Sequence, residues 1–296
     1  MLTAQLTRKL KILMSKTIFE AYNECKKQLA DADIPDCVFE AKQIIKHVTG
    51  YSNAQILANY NRPLTQFQED LLTVIVKQRL VHYPLQYIIG RWSFFGHEFF
   101  VGPGVLIPRA DTETVMDVCM EYINGDREYK VLDLCAGTGC IGISIAAERE
   151  NAKVTLVEKY SEALSYLNKN VEHNGVSVEV KQGDIFDACA ADKKYDLIVS
   201  NPPYITDSDM KTLQPEVKLE PETALAGGKD GLDFYRAIIK NYRQSLKDGG
   251  MLVFEVGINE ASAVALMMTA AGFENVGTRA DINDIDRVAF GTAGTL

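Results

Sequence analysis

The spacing of hydrophobic residues changes along the chain from a purely helical pattern to an alternation of strands and helices. In the first quarter, apolar side chains such as Ile18, Cys25 and Leu29 fall on one face of a helix. A second stripe follows Asp36, which is placed to cap the start of that helix. The pattern predicts a small all-α bundle over residues 1–83.

A different pattern begins at residue 84. Aromatic residues separated by glycines predict a β-hairpin or linker over residues 84–110. From residue 111 to 296, short apolar runs alternate with amphipathic stretches, so we expect a mainly parallel sheet with helices on both faces. The first strands of this α/β unit are predicted at Val131–Leu134, Val154–Val157, Val176–Val180 and Leu197–Ser200, and its first two full helices at Ile141–Glu148 and Ser161–Asn174, the second capped by Ser161.

Composition narrows the class of protein. The 296 residues carry a net charge of -9, which lowers the expectation of a direct nucleic-acid contact, because phosphate binding favours a basic face. The six cysteines form no C-x-x-C pair and the four histidines are scattered, so we expect free thiols, a reducing cytoplasm and no metal site. No apolar run reaches the roughly 18 residues that span a bilayer, so no membrane partner is expected. The basic stretch before residue 17 is interpreted as a non-functional extension or a frayed first helix.

A glycine loop follows the first predicted strand of the α/β unit. It consists of Cys135, Ala136, Gly137, Thr138 and Gly139 and leads directly into a helix. Glycines let the backbone turn tightly and approach a ligand closely, and the helix start offers unpaired N–H groups. A Gly-x-Gly alone is weak evidence, since a tight turn without a ligand has the same sequence.

Acidic residues at the ends of successive strands strengthen this interpretation. Glu158 is placed to accept hydrogen bonds from the two ribose hydroxyls of a nucleoside. Asp184 can accept from an adenine amino group while Ile185 packs on the ring. The loop lacks the full G-x-G-x-x-G of a dinucleotide site and resembles that of class I methyltransferases, which predicts S-adenosylmethionine as cofactor. Asp133 then faces the methionine ammonium group.

The fourth predicted strand leads into the sequence Asn201, Pro202, Pro203 and Tyr204. An amide or aromatic amine nitrogen is a poor nucleophile because its lone pair is delocalised. The Asn201 side-chain oxygen and the Pro202 carbonyl can each accept one N–H, and Tyr204 can stack on the planar group. Positive charge develops on the nitrogen as a methyl group arrives, and preplaced acceptors stabilise it. Without a ligand, the same motif would be a stiff turn with a buried tyrosine.

The motif resembles two families, the adenine N6-methyltransferases and the PrmC/HemK family of release factor glutamine N5-methyltransferases. Further segments resemble the second family and carry the resemblance over residues 20 to 291. They are Pro84 to Gly90, Phe94 to Gly96, Leu106 to Glu113, Leu219 to Arg236 and Asp286 to Val288. Ala110 stands where this family usually has proline, and Cys135-Ala136 replaces the more frequent Gly-Thr; neither change removes a functional group.

The resemblance implies a Rossmann-like class I methyltransferase domain, with a mainly parallel seven-stranded sheet that contains one antiparallel strand. It implies that residues 1–83 help to bind a class I peptide chain release factor, and that the substrate is the glutamine of its Gly-Gly-Gln loop. Carried over, the cofactor set comprises Asp133, residues 135–139, Glu158, Asp184, Ile185 and Asn201. The substrate set is Asn201 to Tyr204, with Asn201, Pro202 and Tyr204 as the catalytic residues. We expect a monomer.

Two other functions use the same residues. An adenine N6-methyltransferase acting on DNA or RNA would use Asn201 and Tyr204 in the same way, but the acidic balance and the linker segments disfavour it. A non-catalytic binding protein on this fold is disfavoured because Glu158, Asp184, Asn201 and Tyr204 are all intact.

Overall fold

The computed structural model describes residues 15–294, which divide between Ile89 and Gly90 into two compact units. The predicted N-terminal extension, residues 1–13, lies outside the described part. The domain limits 1–83, 84–110 and 111–296 that were drawn from the sequence remain predictions. Among residues 15–294, no helix combines the length and apolar character that crossing a membrane requires.

The first unit is helical, and side-chain caps explain where most of its helices begin. Thr17, Ser52 and Thr65 each accept a hydrogen bond from the backbone three residues ahead, and the residue there bonds back, which completes a capping box. The helices are α1 (Ile18–Asp31), α2 (Cys37–Thr49), α3 (Asn53–Ala58), α4 (Gln66–Arg79) and α5 (Leu85–Ile89).

Two features of this unit differ from the sequence prediction. Asp36 does precede α2, but its backbone is left-handed, with φ of 53°, and its side chain makes no capping hydrogen bond. The predicted cap is therefore wrong. The segment Leu85–Ile89, which the sequence assigned to the hairpin or linker, is a helix whose Leu85 packs in the core of the first unit with Leu29 and Ile44.

The second unit alternates strands and helices as predicted. Its strands are β1 (Arg91–Phe94), β2 (His97–Phe100), β3 (Tyr129–Leu134), β4 (Ala152–Glu158), β5 (Glu179–Gln182), β6 (Tyr195–Ser200), β7 (Ile205–Thr206), β8 (Ala226–Gly228), β9 (Leu246–Glu255), β10 (Phe273–Ala280) and β11 (Asp286–Ala293). Its helices are α6 (Glu113–Tyr122), α7 (Cys140–Glu148), α8 (Ser161–Asn174), α9 (Asp233–Tyr242) and α10 (Ala261–Ala270).

Seven strands form the main sheet in the order β10-β11-β9-β6-β3-β4-β5. β11 runs antiparallel to both of its neighbours, whereas the β9-β6, β6-β3, β3-β4 and β4-β5 pairs are parallel. The prediction of a seven-stranded sheet with one antiparallel strand is confirmed. β1 and β2 form a separate antiparallel hairpin, and β7 pairs with β8.

The central strands are buried on both faces, which explains their continuous apolar sequence. Tyr195–Ser200 is buried at every position, and the sheet packs between two large apolar clusters. Gly142 permits the close approach of α7, since a Cβ there would lie 2.1 Å from the Leu156 side chain. Because the parallel strands share one direction, the carboxyl ends of β3, β4, β6 and β9 meet at one edge.

Two local predictions for this unit are wrong. Ser161 is the first residue of α8 rather than its cap, and its hydroxyl donates to Glu162. The strand predicted at Val176–Val180 begins three residues later and ends two residues later, at Glu179–Gln182, where the edge strand pairs with β4. Edge strands are half exposed, so their apolar pattern defines their limits poorly.

Candidate active site

A cavity lies in the second unit, where β3, β4 and β6 end. Most of the side chains and loop residues that the sequence singled out line it. These are Asp133, Cys135, Ala136, Gly137, Thr138, Glu158, Asp184, Ile185, Asn201 and Pro203. Gly139, Pro202 and Tyr204 lie in the same loops but do not line the cavity.

The loop after β3 is held by short backbone hydrogen bonds. The Ala136 N–H donates to the Val157 carbonyl at 3.0 Å, and the Gly139 N–H donates to the Ala136 carbonyl at 2.7 Å. Gly139 has a φ of 79°, a conformation that glycine adopts without steric cost. Cys135 also has a positive φ, 59°, although it carries a Cβ. The loop therefore turns through Cys135, although a glycine at that position would be less strained.

Glu158 organises this loop more extensively than the sequence indicated. Its Oε2 accepts from the Gly137 N–H at 2.8 Å. Its Oε1 accepts from the N–H groups of Lys159 and Tyr160 at 2.8 and 2.9 Å. One buried carboxylate therefore ties the glycine loop to the end of β4. It lines the cavity, so a ribose hydroxyl would meet a carboxylate that the backbone already holds in place.

Asp133 is buried and only half satisfied. Its Oδ2 accepts from the Gly142 N–H at 2.9 Å, whereas its Oδ1 has no hydrogen-bond partner among the described residues. Burial raises the pKa of Asp133 to about 7, the nearby Glu158 charge adds to the rise, and the Gly142 N–H opposes it. An ammonium group in the cavity would supply the missing donor and favour the charged carboxylate.

Asp184 has partners that the sequence did not predict. Its Oδ2 lies 2.7 Å from the Lys159 ammonium, and its Oδ1 accepts from the Phe186 N–H at 3.0 Å. Burial acts to raise the pKa of Asp184, but these two contacts outweigh it and the pKa is lowered. The carboxylate therefore stays charged beside Ile185, and its contact with an adenine amino group stays a prediction.

An aromatic wall was missed by the sequence analysis. Phe186 and Phe234 line the cavity, with their ring centroids 5.2 Å apart in an edge-on arrangement. The two residues are separated by 48 positions in the sequence, so no local pattern relates them. Together with Ile185 they offer an apolar surface suited to a flat ring such as adenine.

Two of the segments that carry the family resemblance, Leu106 to Glu113 and Leu219 to Arg236, close another side of the cavity. Glu220 is buried and accepts from the Ile107 N–H at 2.9 Å, and it also pairs with the Arg109 guanidinium. Burial raises the pKa of Glu220, while Arg109 and the Ile107 N–H oppose the rise. The sequence marked both segments by resemblance but gave them no role. Their joining by a buried ion pair became visible only in the fold.

The Asn-Pro-Pro-Tyr segment extends from the end of β6 between α6 and β9. Asn201 Nδ2 donates to the Thr112 hydroxyl at 3.3 Å, which leaves Oδ1 of the same amide available as an acceptor. The Tyr204 hydroxyl donates to Glu255 Oε1 at 3.2 Å. Pro202 is buried and does not line the cavity. The catalytic roles assigned to Asn201, Pro202 and Tyr204 stay predictions, but Asn201 shares the cavity with the predicted cofactor residues.

The donor set fits S-adenosylmethionine. The unpartnered Asp133 oxygen suits an ammonium group, the Glu158 carboxylate suits hydroxyls, and the wall around Ile185 suits a purine. Within residues 15–294, no group of three or more His, Cys, Asp or Glu side chains is arranged to hold a metal ion. The cysteines that line the cavity are free thiols, and burial raises the pKa of Cys140 to about 12, so it stays protonated at neutral pH.

Comparisons with known proteins agree on the class. The family profile described as PrmC N-terminal domain matches residues 20–90, and the profile described as Methyltransferase small domain matches residues 109–217. The chain is 36% identical over 279 residues to the release factor glutamine methyltransferase of Geobacter sulfurreducens, covering 94% of this chain and 97% of the relative. It is 34% identical over 266 residues to the enzyme of the same name from Bordetella pertussis, covering 90% and 98%.

Among solved structures, a methyltransferase from Pyrococcus furiosus superposes with a TM-score of 0.52 at 18% identity, covering 69% of this chain and 92% of that chain. At this identity the likeness supports the fold alone. It agrees with the Rossmann-like arrangement described above.

Replacing Glu158 tests the cofactor site. In Glu158→Ala, three backbone N–H groups lose their acceptor and the predicted ribose contact is lost. We therefore expect S-adenosylmethionine affinity to fall by about 1–3 kcal/mol or more. Isothermal titration calorimetry measures the change, and Glu172→Ala, at an exposed position of α8, is the matched control. An unchanged dissociation constant for Glu158→Ala would remove Glu158 from the site.

Proposed function

The chain belongs to the release factor glutamine methyltransferase family, and from this premise we propose that it transfers a methyl group from S-adenosylmethionine to the side-chain amide nitrogen (N5) of a glutamine in a class I peptide chain release factor. The glutamine is that of the Gly-Gly-Gln loop. The observation that carries the proposal is that Asn201 lines the same cavity as Asp133 and Glu158. An acceptor for a planar nitrogen thus lies next to the predicted binding groups for the methyl donor.

The chemistry requires little from the protein beyond orientation and charge stabilisation. When bound, S-adenosylmethionine supplies an electrophilic methyl group on a positively charged sulfur. Asn201 Oδ1 and the Pro202 carbonyl each accept one N–H of the glutamine amide, which favours a pyramidal nitrogen with its lone pair directed at the methyl. The new N–C bond forms as the S–C bond breaks, and the sulfur keeps the electron pair.

Positive charge builds up on the glutamine nitrogen during transfer. Acceptor oxygens that are held in place before the reaction stabilise such a charge with little reorganisation. The nitrogen then releases one of its own protons, which restores a neutral, methylated amide. A strong base is unnecessary because the protonated amide is very acidic. Tyr204 completes the proposal by stacking on the planar amide.

The two units suggest a division of labour. All residues that line the cavity belong to the second unit. None of residues 15–89 lines this cavity, but this part of the first unit exposes large apolar side chains, among them Phe39, Leu57 and Phe67. We propose that it binds the body of the release factor while the second unit carries out the transfer.

Methyl transfer to defined substrates tests the function. With radiolabelled S-adenosylmethionine, we expect label in a release factor but not in double-stranded or single-stranded DNA or in RNA. Fragmentation of the product should place one methyl group on the glutamine of the Gly-Gly-Gln loop, and a factor with that glutamine changed to glutamate should take up no label. Methylation of adenine in DNA or RNA would establish the alternative function instead.

Asn201 is the sharpest test of the mechanism. Asn201→Ala removes an acceptor that the reacting amide needs most when positive charge develops. The single-turnover rate should therefore fall on the order of 10²–10³-fold, with cofactor affinity nearly unchanged. Asn201→Asp keeps an acceptor but adds a charge close to the cationic sulfur, so it should also be impaired.

The matched control is Asn168→Ala, an exposed asparagine of α8 that lies outside the cavity. Melting temperature is measured on the same samples, because an asparagine that only ends a strand would lower stability rather than rate. A stable Asn201→Ala protein with near-normal turnover contradicts the mechanism.

Removing the first unit tests the division of labour. A chain that begins at Gly90 keeps the whole cavity, so we expect cofactor binding and the methylation of a short Gly-Gly-Gln peptide to persist. Methylation of the intact release factor should decline strongly through a raised KM. Equal activity of the full and shortened chains on the intact factor would show that the helical unit is not a docking element.

A further inference from the structure

The charged side chains that line the cavity follow the order of the strands in the sheet. Along the order β6-β3-β4-β5, Asp133 belongs to β3, Glu158 ends β4 and Asp184 follows β5. Among residues 15–294, two basic side chains also line the cavity, Arg109 and Lys159. The Lys159 ammonium lies 2.7 Å from Asp184, toward the β5 end. Of the two cations, only Lys159 is paired with an acid of the cavity wall.

Hydrogen bonds place Arg109 at the opposite end of the cavity. The Thr112 N–H donates to the Arg109 carbonyl at 3.2 Å, and the Thr112 hydroxyl accepts from Asn201 Nδ2 at 3.3 Å. Asn201 directly follows β6, which pairs with β3. The turn that carries Arg109 is therefore anchored where β6 and β3 end, whereas β5 lies two strands further along the sheet.

The Arg109 guanidinium is held at one point and has donors left over. Its Nη2 donates to Glu220, and no other hydrogen bond of this guanidinium is present within residues 15–294. The Glu220 side chain is 1% exposed, whereas that of Arg109 is 35% exposed. Because a guanidinium carries five N–H donors, most of them remain without a protein acceptor at the cavity wall.

S-adenosylmethionine carries two opposite charges at its methionine end, an ammonium and a carboxylate on the same carbon atom. The unpartnered Oδ1 of Asp133 suits the ammonium. A cofactor whose adenine meets Asp184 and whose ribose meets Glu158 extends along the sheet toward β3 and β6. Its methionine end then reaches the part of the wall that includes Arg109. A carboxylate withdrawn from water there needs a cation or N–H donors.

We propose that Arg109 binds the α-carboxylate of S-adenosylmethionine, and that the buried Glu220 fixes the guanidinium for this task. The inference rests on the proposed function, which takes S-adenosylmethionine as the methyl donor. Arginine suits the role because its planar fork can donate two parallel N–H bonds to one carboxylate. Glu220 uses only Nη2, so the same guanidinium can serve both carboxylates. Asp133 and Arg109 then recognise the two charged groups of one amino acid.

A matched pair of ligands tests this subsite by isothermal titration calorimetry, without a release factor. S-adenosylmethionine and its decarboxylated form both carry the sulfonium and the ammonium and differ only in the α-carboxylate. The wild type should bind S-adenosylmethionine about 10- to 100-fold more tightly, the scale of a hydrogen bond between charged groups. In Arg109→Met most of this preference should be lost. Methylthioadenosine, which lacks the whole amino acid, should bind both proteins equally.

Two control variants separate direct binding from a change in the cavity wall or in its overall charge. Lys159→Met removes the same charge from the other end of the cavity, so it should affect both ligands to a similar extent. Glu220→Gln breaks the ion pair but keeps the guanidinium and an acceptor for the Ile107 N–H, so the preference should be retained. An equal loss of affinity for all three ligands in Arg109→Met would show that Arg109 only supports the wall, and would overturn the proposal. An unchanged preference in that variant would overturn it as well.

A double variant covers the case in which Arg109→Met does not fold, because that change leaves the buried Glu220 without its cation. Arg109→Met combined with Glu220→Gln removes both charges and should show the same lost preference.

The outcomes also separate this inference from the proposed function. A carboxylate preference that depends on Arg109, in a protein that does not methylate the glutamine, overturns the proposed function alone. A preference independent of Arg109, in a protein that does methylate it, overturns this inference alone.

Discussion

The second unit depends on one physical constraint: polar side chains at the ends of buried parallel strands are withdrawn from water and must find their hydrogen-bond partners within the protein. Glu158 meets this need with three backbone N–H groups, and in doing so it fixes the glycine loop. Asp133 and Glu255 meet it only in part, since each leaves one carboxylate oxygen without a partner in the described structure. The fold therefore fixes the glycine loop and leaves two buried carboxylate oxygens without a hydrogen-bond donor among residues 15–294.

The two incomplete carboxylates differ in what surrounds them. Asp133 lines the cavity, so a ligand can supply its missing donor. Glu255 accepts from the Tyr204 hydroxyl and does not line the cavity, so a ligand there does not contact it. The same chemical group thus faces the cavity in one case and other side chains in the other.

The sequence predicted the architecture well because strand and helix periodicity are local properties. The strands and the helices over residues 129–174 were found with errors of two or fewer residues at each end. Capping was predicted less well: Asp36 and Ser161 are suitable residue types, but the chain turns differently at both. The glycine loop and the acids were recognisable because each follows a strand end directly.

The contacts that complete the site could not be read from local patterns. Glu220 reaches Arg109 across 111 positions, and Asn201 reaches Thr112 across 89. Lys159 pairs with Asp184 because β4 and β5 lie side by side, which a pattern of apolar residues does not specify.

The position of β11 between β9 and β10 has a consequence for biosynthesis. Since β10 is translated before β11 but joins the sheet only through it, the sheet edge beside Glu255 closes only after Asp286–Ala293 has been synthesised.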